Sequence, residues 1–546
     1  MSTSTTVLIV GAGPTGLVSA LTLLKNGIAV RIIEKELTTR RGQRGAGIYP
    51  RTLEVYNFLD VPEVLEKAGG TSLFQSHMFG SVDVLKEFDF TPDAADPTPS
   101  IPFNRLLGLG QDVAEGILMS HLAKFDCTVE YGKELRSLTQ DEREVVAELL
   151  VRNGEEAPEM VKSQFLIGAD GARGVTRKLL NLTFLGETRE ATTVLTGDVR
   201  FSCSALTRER MHHFSDGNNS TFLILPTDWY GDDDGWQFLM SGDKVDADKL
   251  VTSKEALFSL ISNVIGCPVD FIELGWVSYF RPNIRMADKF GHGRVFVAGD
   301  AAHVHSPTGG QGLNSGIQDG FHLAWKIALV AKGLSPLSLL ETYTAERLPV
   351  IAQMLNLTTA LLDKTWGPKQ VSADSAWRRS RVMFMLGVNY RTSPIVLDEF
   401  SSGVPIVPAY GAEIGGQLVA GDRAPDAPGL VDGERTVRLF ELFKPTHHTV
   451  MVFTSDVKVA EEIFRSFAVH SNLGIVRIVT IVPAGIHPTS TLVNLRVLVD
   501  KDDYAHAHYY AQDSPRVVIV RPDGVVGAMV AGLSGVQKYF KLILAE

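Results

Sequence analysis

The sequence predicts an α/β fold: a Rossmann-type dinucleotide-binding domain, interrupted by an inserted β-sheet and followed by a second unit of alternating strands and helices. Three stretches carry this reading. Val7 to Val10, a short buried-strand run, is followed at once by Gly11-Ala12-Gly13-Pro14-Thr15-Gly16 and a helix-periodic segment. Val295 to Val297 ends at Gly299-Asp300, and Pro307 with Gly309, Gly310, Gly312 and Gly316 leads into a second apolar-periodic helix. Between the two, from about residue 185 to 279, short alternating strands and turns replace the helical pattern.

In the first stretch Leu17, Ala20, Leu21 and Leu24 repeat at helical spacing up to Gly27. Val30 to Ile33 then reads as a second strand ending at Glu34, with Lys35 beside it. This completes a βαβ unit. Gly11 permits the tight turn, Gly13 lets a pyrophosphate approach the backbone, and Gly16 lets helix pack on strand. Glu34 is placed to bind a ribose 2′-hydroxyl. A strand-to-helix turn with no ligand is the plainer alternative, and it leaves Glu34 unexplained.

Composition limits the classes. In 546 residues, 52 Lys and Arg against 63 Asp and Glu give a net charge of −11 without long blocks of one sign, so neither nucleic acid nor an anionic membrane is an expected partner. Cys127, Cys203 and Cys267 lie far apart, which argues for a reducing compartment and against a disulfide framework or a zinc site. The N-terminus has no signal-peptide pattern, and no segment has the length of a membrane span, so a cytoplasmic protein is expected.

Gly42 to Glu54 holds Arg44 and Arg51, with Arg41 just before, and turns into a helix bearing Leu53, Val55, Tyr56 and Leu59; solvated charge is the simplest reading of those arginines. Pro92, Pro97, Pro99 and Pro102 mark a surface connection, after which a helix leads from Gln111. Val161 to Gly168 is strand-like and runs into Ala169-Asp170-Gly171-Ala172-Arg173. The β-rich insertion offers Trp229, Tyr230, Trp236, Tyr279 and Arg281 as pocket candidates, although a single aromatic is more often core. His212 and His213, on a polar run, read as surface residues. The helix from Ile317 to Ala331 is amphipathic, with Phe321, Leu323, Ala324, Ile327 and Val330 inward. Beyond about Ser393, strands near 449–454, 476–482 and 517–520 alternate with a helix at 457–467 and close on Arg521-Pro522-Asp523-Gly524. No cysteine lies in this last unit, which excludes dithiol chemistry there. His506 and His508 lack the acids a metal site needs, so no metal is expected.

Three signatures in one order, Gly11-x-Gly13-x-x-Gly16, Asp170-Gly171 and Gly299-Asp300, resemble the class A FAD-dependent aromatic monooxygenases, of phenol hydroxylase and polyketide hydroxylase type. The resemblance covers nearly the whole chain. It implies a Rossmann-type FAD-binding domain with an inserted β-sheet substrate domain, p-hydroxybenzoate hydroxylase-like, and a C-terminal thioredoxin-like domain. The segments would be 1–184 and 286–395 for FAD, 185–285 for substrate and 396–546 for the thioredoxin-like unit. It further implies that Gly11, Gly13, Pro14, Thr15, Gly16, Glu34 and Lys35 hold the adenosine and pyrophosphate side of FAD, and that Asp170 supports the same site. Gln111 would bond the ribityl or phosphate groups, Asp300 would bind the ribityl chain, and Pro307, Gly310 and Gly312 would lie against the isoalloxazine. The backbone amides of Leu313 and Asn314 would meet flavin O2 and N1, and Arg44 would sit beside the flavin. NAD(P)H, NADPH ahead of NADH, would reduce FAD, O₂ would form a C4a-hydroperoxide, and the oxygen would pass to a phenolic ring, with loss of CO₂ open if the substrate is a hydroxybenzoate. Catalytic candidates are Arg44, Pro307, Tyr230, Tyr279 and Arg281, with Tyr49 a further guess. Two departures stand out: Ala46 replaces the aspartate that assists phenol deprotonation in phenol hydroxylases proper, and Gly174 replaces a helix-capping Ser. Baeyer–Villiger, epoxidase or dehydrogenase chemistry on the same fold, or a non-catalytic FAD-binding protein, remain the alternatives. A homodimer is a further expectation.

Overall fold

The computed structural model describes residues 2–545 except 41, 71, 95, 153–156, 191, 219, 228–233, 243–244, 367–376, 402–406, 412–415, 487–491, 493 and 513–514. Trp229 and Tyr230 therefore lie outside the described residues.

The first domain is built on a parallel sheet in which Val295–Val297, Ala157–Gly168, Ser2–Val10, Val30–Glu34 and Val129–Tyr131 lie side by side in that order. The apolar run at 7–10 is buried on both faces, as parallel strands require. The first strand is longer than the apolar run, because Ser2–Thr5 pair with Met160–Ser163 of a partner strand that is itself extended by an antiparallel meander, Lys133–Gln140 and Val145–Val151. Register aligns three strand ends: Val10 lies opposite Gly168 and Ile33, and Gly168 opposite Val297. Gly11, Ala169-Asp170 and Ala298-Asp300 therefore leave the sheet at one edge.

Helices Pro14–Lys25 and Gly312–Ala331 cover one face and approach closely. A Cβ on Gly316 would stand 2.4 Å from Thr15 Oγ1, and one on Gly320 2.5 Å from Ser19 Oγ. The second helix departs from the amphipathic expectation, since every residue from Asn314 to Leu329 is buried. Its far side is taken up by the long helix Glu341–Trp366 and by the C-terminal unit. Gln318, Asp319, His322 and Lys326 are thus polar residues held inside protein.

The insertion is a seven-stranded sheet in the order Asp270–Phe280, Val194–Ser202, Gly235–Ser241, Thr221–Pro226, Met211–Ser215, Leu73–Met78, Lys86–Asp89. Two of its strands come from residues 73–89, well before the alternating stretch. Its outer face, with Leu195, Phe201, Phe222 and Phe238, packs with the helix Lys254–Ile265 into a core of its own. Trp236 belongs to that core, stacked on Phe201 at 5.5 Å, so it is not a pocket residue. His212 and His213 are buried rather than on the surface. His212 Nδ1 lies 3.1 Å from His77 Nε2, a partner 135 positions away that local polarity does not reveal.

The C-terminal unit has an eight-stranded mixed sheet whose middle strands are Arg516–Val520, His448–Phe453, Val476–Pro483 and Arg496–Asp500. Helices Val457–Ser466 and Leu533–Lys541 pack on it. Its turn at Arg521–Gly524 docks on the first domain through buried charge. Arg521 Nη1 lies 2.6 Å from Glu346 Oε1 and Nη2 lies 2.6 Å from Asp523 Oδ2, while Lys326 Nζ donates to Glu346 Oε2 at 2.5 Å. Arg51 is drawn into the same contact rather than solvated, paired with Glu54 at 2.6 Å and donating to the Asp523 carbonyl at 2.8 Å. No helix among the described residues is long and apolar enough to cross a membrane.

Candidate functional site

At the aligned strand ends lies a cavity of about 1370 Å³, where open parallel sheets place their ligands. Gly11, with φ +105°, makes the first turn, and a Cβ there would be 2.2 Å from the Ala169 carbonyl oxygen. Gly16 is equally constrained, a Cβ standing 2.0 Å from the Gly11 carbonyl oxygen, so it serves the helix–strand contact and does not line the cavity. Gly13 has a different reason to be glycine. Nothing lies within 4 Å of where its Cβ would be. The missing side chain leaves open space in the cavity wall, as close approach of a pyrophosphate requires.

Glu34 lines the cavity and accepts from the Ala12 amide at 3.1 Å, which ties the second strand to the glycine turn. Lys35 is beside it. Asp170 Oδ2 accepts from Thr176 N and Oγ1, both at 2.9 Å, and so caps the short helix Thr176–Leu179. This accounts for Gly174: a Cβ there would lie 2.2 Å from the Asp170 carboxyl carbon, so a serine could not fit without displacing the carboxylate that does the capping. Asp170 Oδ1 is buried and has no partner among the described residues. Enclosure by protein pushes the Asp170 and Asp300 carboxyls above the usual carboxylate range. Asp300 turns its side chain into the cavity. Its loop is held by Asp319, which accepts from Gly299 N at 3.0 Å, and by Arg177, which donates to the Ala301 carbonyl at 2.7 Å. An orphan acceptor, a carboxylate turned to open space and a side-chain-free glycine together fit an extended polar dinucleotide.

The glycine-rich turn forms the opposite wall through Pro307, Gly310, Gly312 and Leu313. Gly310 has φ +60°. Asn314 is fully buried and does not reach the cavity. Its Nδ2 donates to the Gly47 and Gly310 carbonyls, both at 2.9 Å, and its Oδ1 accepts from Tyr49 N at 2.9 Å, so it fastens the arginine loop to the turn. Tyr49 is buried as well, donating to the Gly309 carbonyl at 2.9 Å, with burial pushing its phenol up to about 12. It serves as structure.

Arg44 lines the cavity with its backbone at φ +39° and its guanidinium 5.4 Å from the Trp276 ring centroid. Burial, then Arg40, lowers its pKa. The inserted sheet holds this loop at two points: Gln237 Nε2 donates to the Arg44 carbonyl at 3.0 Å, and Asp198 Oδ2 accepts from Gln43 N at 2.7 Å and from Trp276 Nε1 at 2.6 Å. Asp198, fully buried, is pushed up to about 6, burial being the main cause. Gln111 lines the cavity and donates to Glu115 Oε1 at 2.7 Å; burial pushes Glu115 up to about 7. Ala46 also lines the cavity, so no carboxylate stands at that position.

The structure does not bring Tyr279 and Arg281 to this cavity. Tyr279 is exposed and donates to Asp248 at 2.9 Å, and Arg281 is exposed and paired with Glu190 at 2.6 Å; it is Phe280, between them, that faces the cavity with Leu239. That alternation is what a strand imposes. Sequence reasoning also missed Glu115, Asp198, Gln237 and His305. Glu115 follows Gln111 by one helical turn, a visible signal. Asp198, a lone acid inside the apolar strand Val194–Ser202, was another. His305 Nδ1 donates to the Ser306 carbonyl, and burial brings its pKa down to about 4 and keeps it neutral. In the C-terminal unit the structure supplies the acids the sequence was expected to lack: His506 Nδ1 lies 2.8 Å from Asp500, and Asp503 joins these two within reach of one metal ion, while His508 Nδ1 donates elsewhere, to the Asp426 carbonyl at 2.8 Å.

Comparisons with known proteins agree with this geometry. Residues 4–358 match the FAD binding domain family. The chain is 34% identical over 469 residues to a flavin-dependent monooxygenase of Mycobacteroides abscessus, covering 84% of this chain and 90% of the relative. It is 29% identical to pentachlorophenol 4-monooxygenase of Sphingobium chlorophenolicum, covering 84% and 82%. Among solved structures, the flavin-dependent monooxygenase PieE, in complex with FAD and substrate, superposes with a TM-score of 0.82 at 23% identity over 99% of this chain and 98% of that one. A ternary complex of aklavinone-11 hydroxylase with FAD and aklavinone gives a TM-score of 0.78 at 24% identity, covering 98% of each chain. With the strand-end cavity, the aspartates facing it and the inserted sheet over it, these likenesses lead to one conclusion: the chain belongs to the class A FAD-dependent aromatic monooxygenase family.

Proposed function

We propose that this protein uses NAD(P)H and O₂ to hydroxylate a phenolic aromatic compound. The observation that carries the reading is the double fastening of the Arg44 loop to the inserted sheet through Asp198 and Gln237, which fixes a cation between the FAD cavity and the sheet that roofs it. FAD, when bound, supplies electron transfer from the nicotinamide and activation of O₂. The chain's residues do the rest. Gly11 and Gly13 give the pyrophosphate backbone to approach, Glu34 and Asp300 accept from hydroxyls, and Asp170 keeps an acceptor free for the same ligand. Of the turn and the helix that follows it, Gly312 and Leu313 line the cavity and would offer their backbone amides to the ligand, and Leu239 and Phe280 exclude water from its sheet side. Relatives named for pentachlorophenol and 6-methylpretetramide support an aromatic substrate of phenolic type. Ala46 in place of an acid supports activation of the phenol by other means than a carboxylate in that loop.

The test is the anaerobic rate of flavin bleaching by NADPH, and separately by NADH, with and without a panel of phenols, hydroxybenzoates and polycyclic phenols. Strong acceleration by one ring compound, followed on readmitting O₂ by a product one oxygen heavier, is the expected result. Fast bleaching without any aromatic, and no oxygen in the product, would turn the assignment to a dehydrogenase.

A further inference from the structure

Cys203 and Cys267 are 64 positions apart, and the sequence expectation left them unpaired. The structure brings their Sγ atoms to 2.9 Å, both half-buried at the rim of the inserted sheet's outer core. Each is held where it is. Cys203 follows Ser202, whose register partner is Asp270, three residues after Cys267. Cys267 follows Gly266, which closes the helix Lys254–Ile265 at φ +77° and could not carry a Cβ without meeting Gly80 backbone at 2.1 Å. Among the described residues, neither cysteine joins a group of His, Asp or Glu close enough to bind a metal. Cys127 stands apart, buried, with its Sγ directed at the Val30 carbonyl.

We propose that Cys203 and Cys267 form a reversible dithiol/disulfide pair, oxidised by hydrogen peroxide and restored by small thiols. Cys203 sulfur attacks one peroxide oxygen, the O–O bond breaks, and the second oxygen leaves as water, giving a sulfenic acid. Cys267 sulfur then attacks the Cys203 sulfur. The S–S bond forms as the S–O bond breaks, and the departing hydroxide takes the Cys267 proton and leaves as water. Two electrons pass from the two sulfurs to one peroxide. Burial and the neighbouring Cys203 sulfur raise the Cys267 thiol, and the same two steps balance with either sulfur attacking first. The bond would close a ring through the strands Met211–Ser215, Thr221–Pro226 and Gly235–Ser241 and the helix Lys254–Ile265, stapling the roof on the side away from the cavity.

The test uses the full-length FAD-loaded protein, reduced with dithiothreitol, freed of reductant and titrated with hydrogen peroxide. The expected result is a fall in free thiols from three to one, a mass lower by about 2 Da before alkylation, a Cys203–Cys267 linked peptide, and recovery of all three thiols on adding dithiothreitol. Cys203→Ser and Cys267→Ser should each abolish the mass loss. Three thiols surviving excess peroxide, oxygen added without a cross-link, or a link through Cys127 would each overturn the proposal. None of these readouts depends on the substrate or the hydroxylase reading.

Discussion

Two glycines of the first turn separate the needs of the fold from those of the ligand. Gly11→Ala drives a methyl group into the Ala169 carbonyl from a backbone at φ +105°, and should lower soluble yield and Tm whether or not FAD is added. Gly13→Val builds its Cβ where no protein atom lies within 4 Å. It should fold with apo-protein Tm within about 1 °C of the parent, since a substitution away from strain or contact costs little, yet emerge colourless from purification. A yellow Gly13→Val protein would count against the pyrophosphate position. Asp198 yields a pH prediction. Its folded pKa stands near 6, above the ordinary carboxylate value. The folded state therefore holds the proton more tightly than the unfolded one, and this group's contribution to stability falls as pH rises from about 4 to about 6, then stays level. The drop is on the order of 2–3 kcal/mol. Asp198→Asn should flatten that part of the stability curve, read by urea unfolding at stepped pH. These three residues also show what a sequence discloses. The glycines were legible because backbone geometry dictates them. Asp198 was visible as a lone acid in an apolar strand, but its role was not, because its partners Gln43 and Trp276 are distant in sequence and its burial follows from a roof the chain builds only on folding.

Among elements, the turn at Pro307–Gly312 and the loop at 42–49 behave as one piece, joined by Asn314 through three hydrogen bonds. Asn314→Leu leaves one amide and two carbonyls without those partners. It should cost about 3 kcal/mol and loosen FAD by at least tenfold, measured by equilibrium dialysis. Asn314 was expected to meet the flavin through its backbone amide, whereas the structure buries it behind the cavity wall; its neighbourhood to the glycines was visible, its side chain's grip on another loop was not. Tyr279 and Arg281 failed by one step of strand alternation. Choosing pocket residues on Asp270–Phe280 needs the face, and the face depends on a register shift opposite Asp198–Val199 that no local pattern announces. The helix Gly312–Ala331 misled differently. Its apolar stripe was read, but the amphipathic reading gave no sign that Asp319, His322 and Lys326 are buried too, because their counter-charges come from Arg347, Glu346 and Asp523 elsewhere.

For the whole molecule, the C-terminal unit meets the first domain through Arg521, Glu346, Asp523, Lys326 and His322, all buried. Arg521 and Lys326 outweigh the cost of burial and hold the Glu346 carboxyl well below its usual range. Arg521→Met keeps much of the side chain's bulk and removes the guanidinium shared by Glu346 and Asp523, leaving Lys326 and His322 to face two buried carboxylates. It should destabilise by about 3–5 kcal/mol and split thermal unfolding into two transitions in calorimetry; a single transition at the parent temperature would show that the contact does not couple the units. The helix Gly312–Ala331 begins at the cavity wall and, about 30 Å on at 1.5 Å per residue, ends beneath the C-terminal sheet. Anyone recombining relatives should therefore inherit a constraint. A chimaera joined near residue 395 would carry Lys326 and Glu346 from one parent and the Arg521–Asp523 turn from the other, so crossover tolerance should follow whether those four positions travel together, more than overall similarity between the donors.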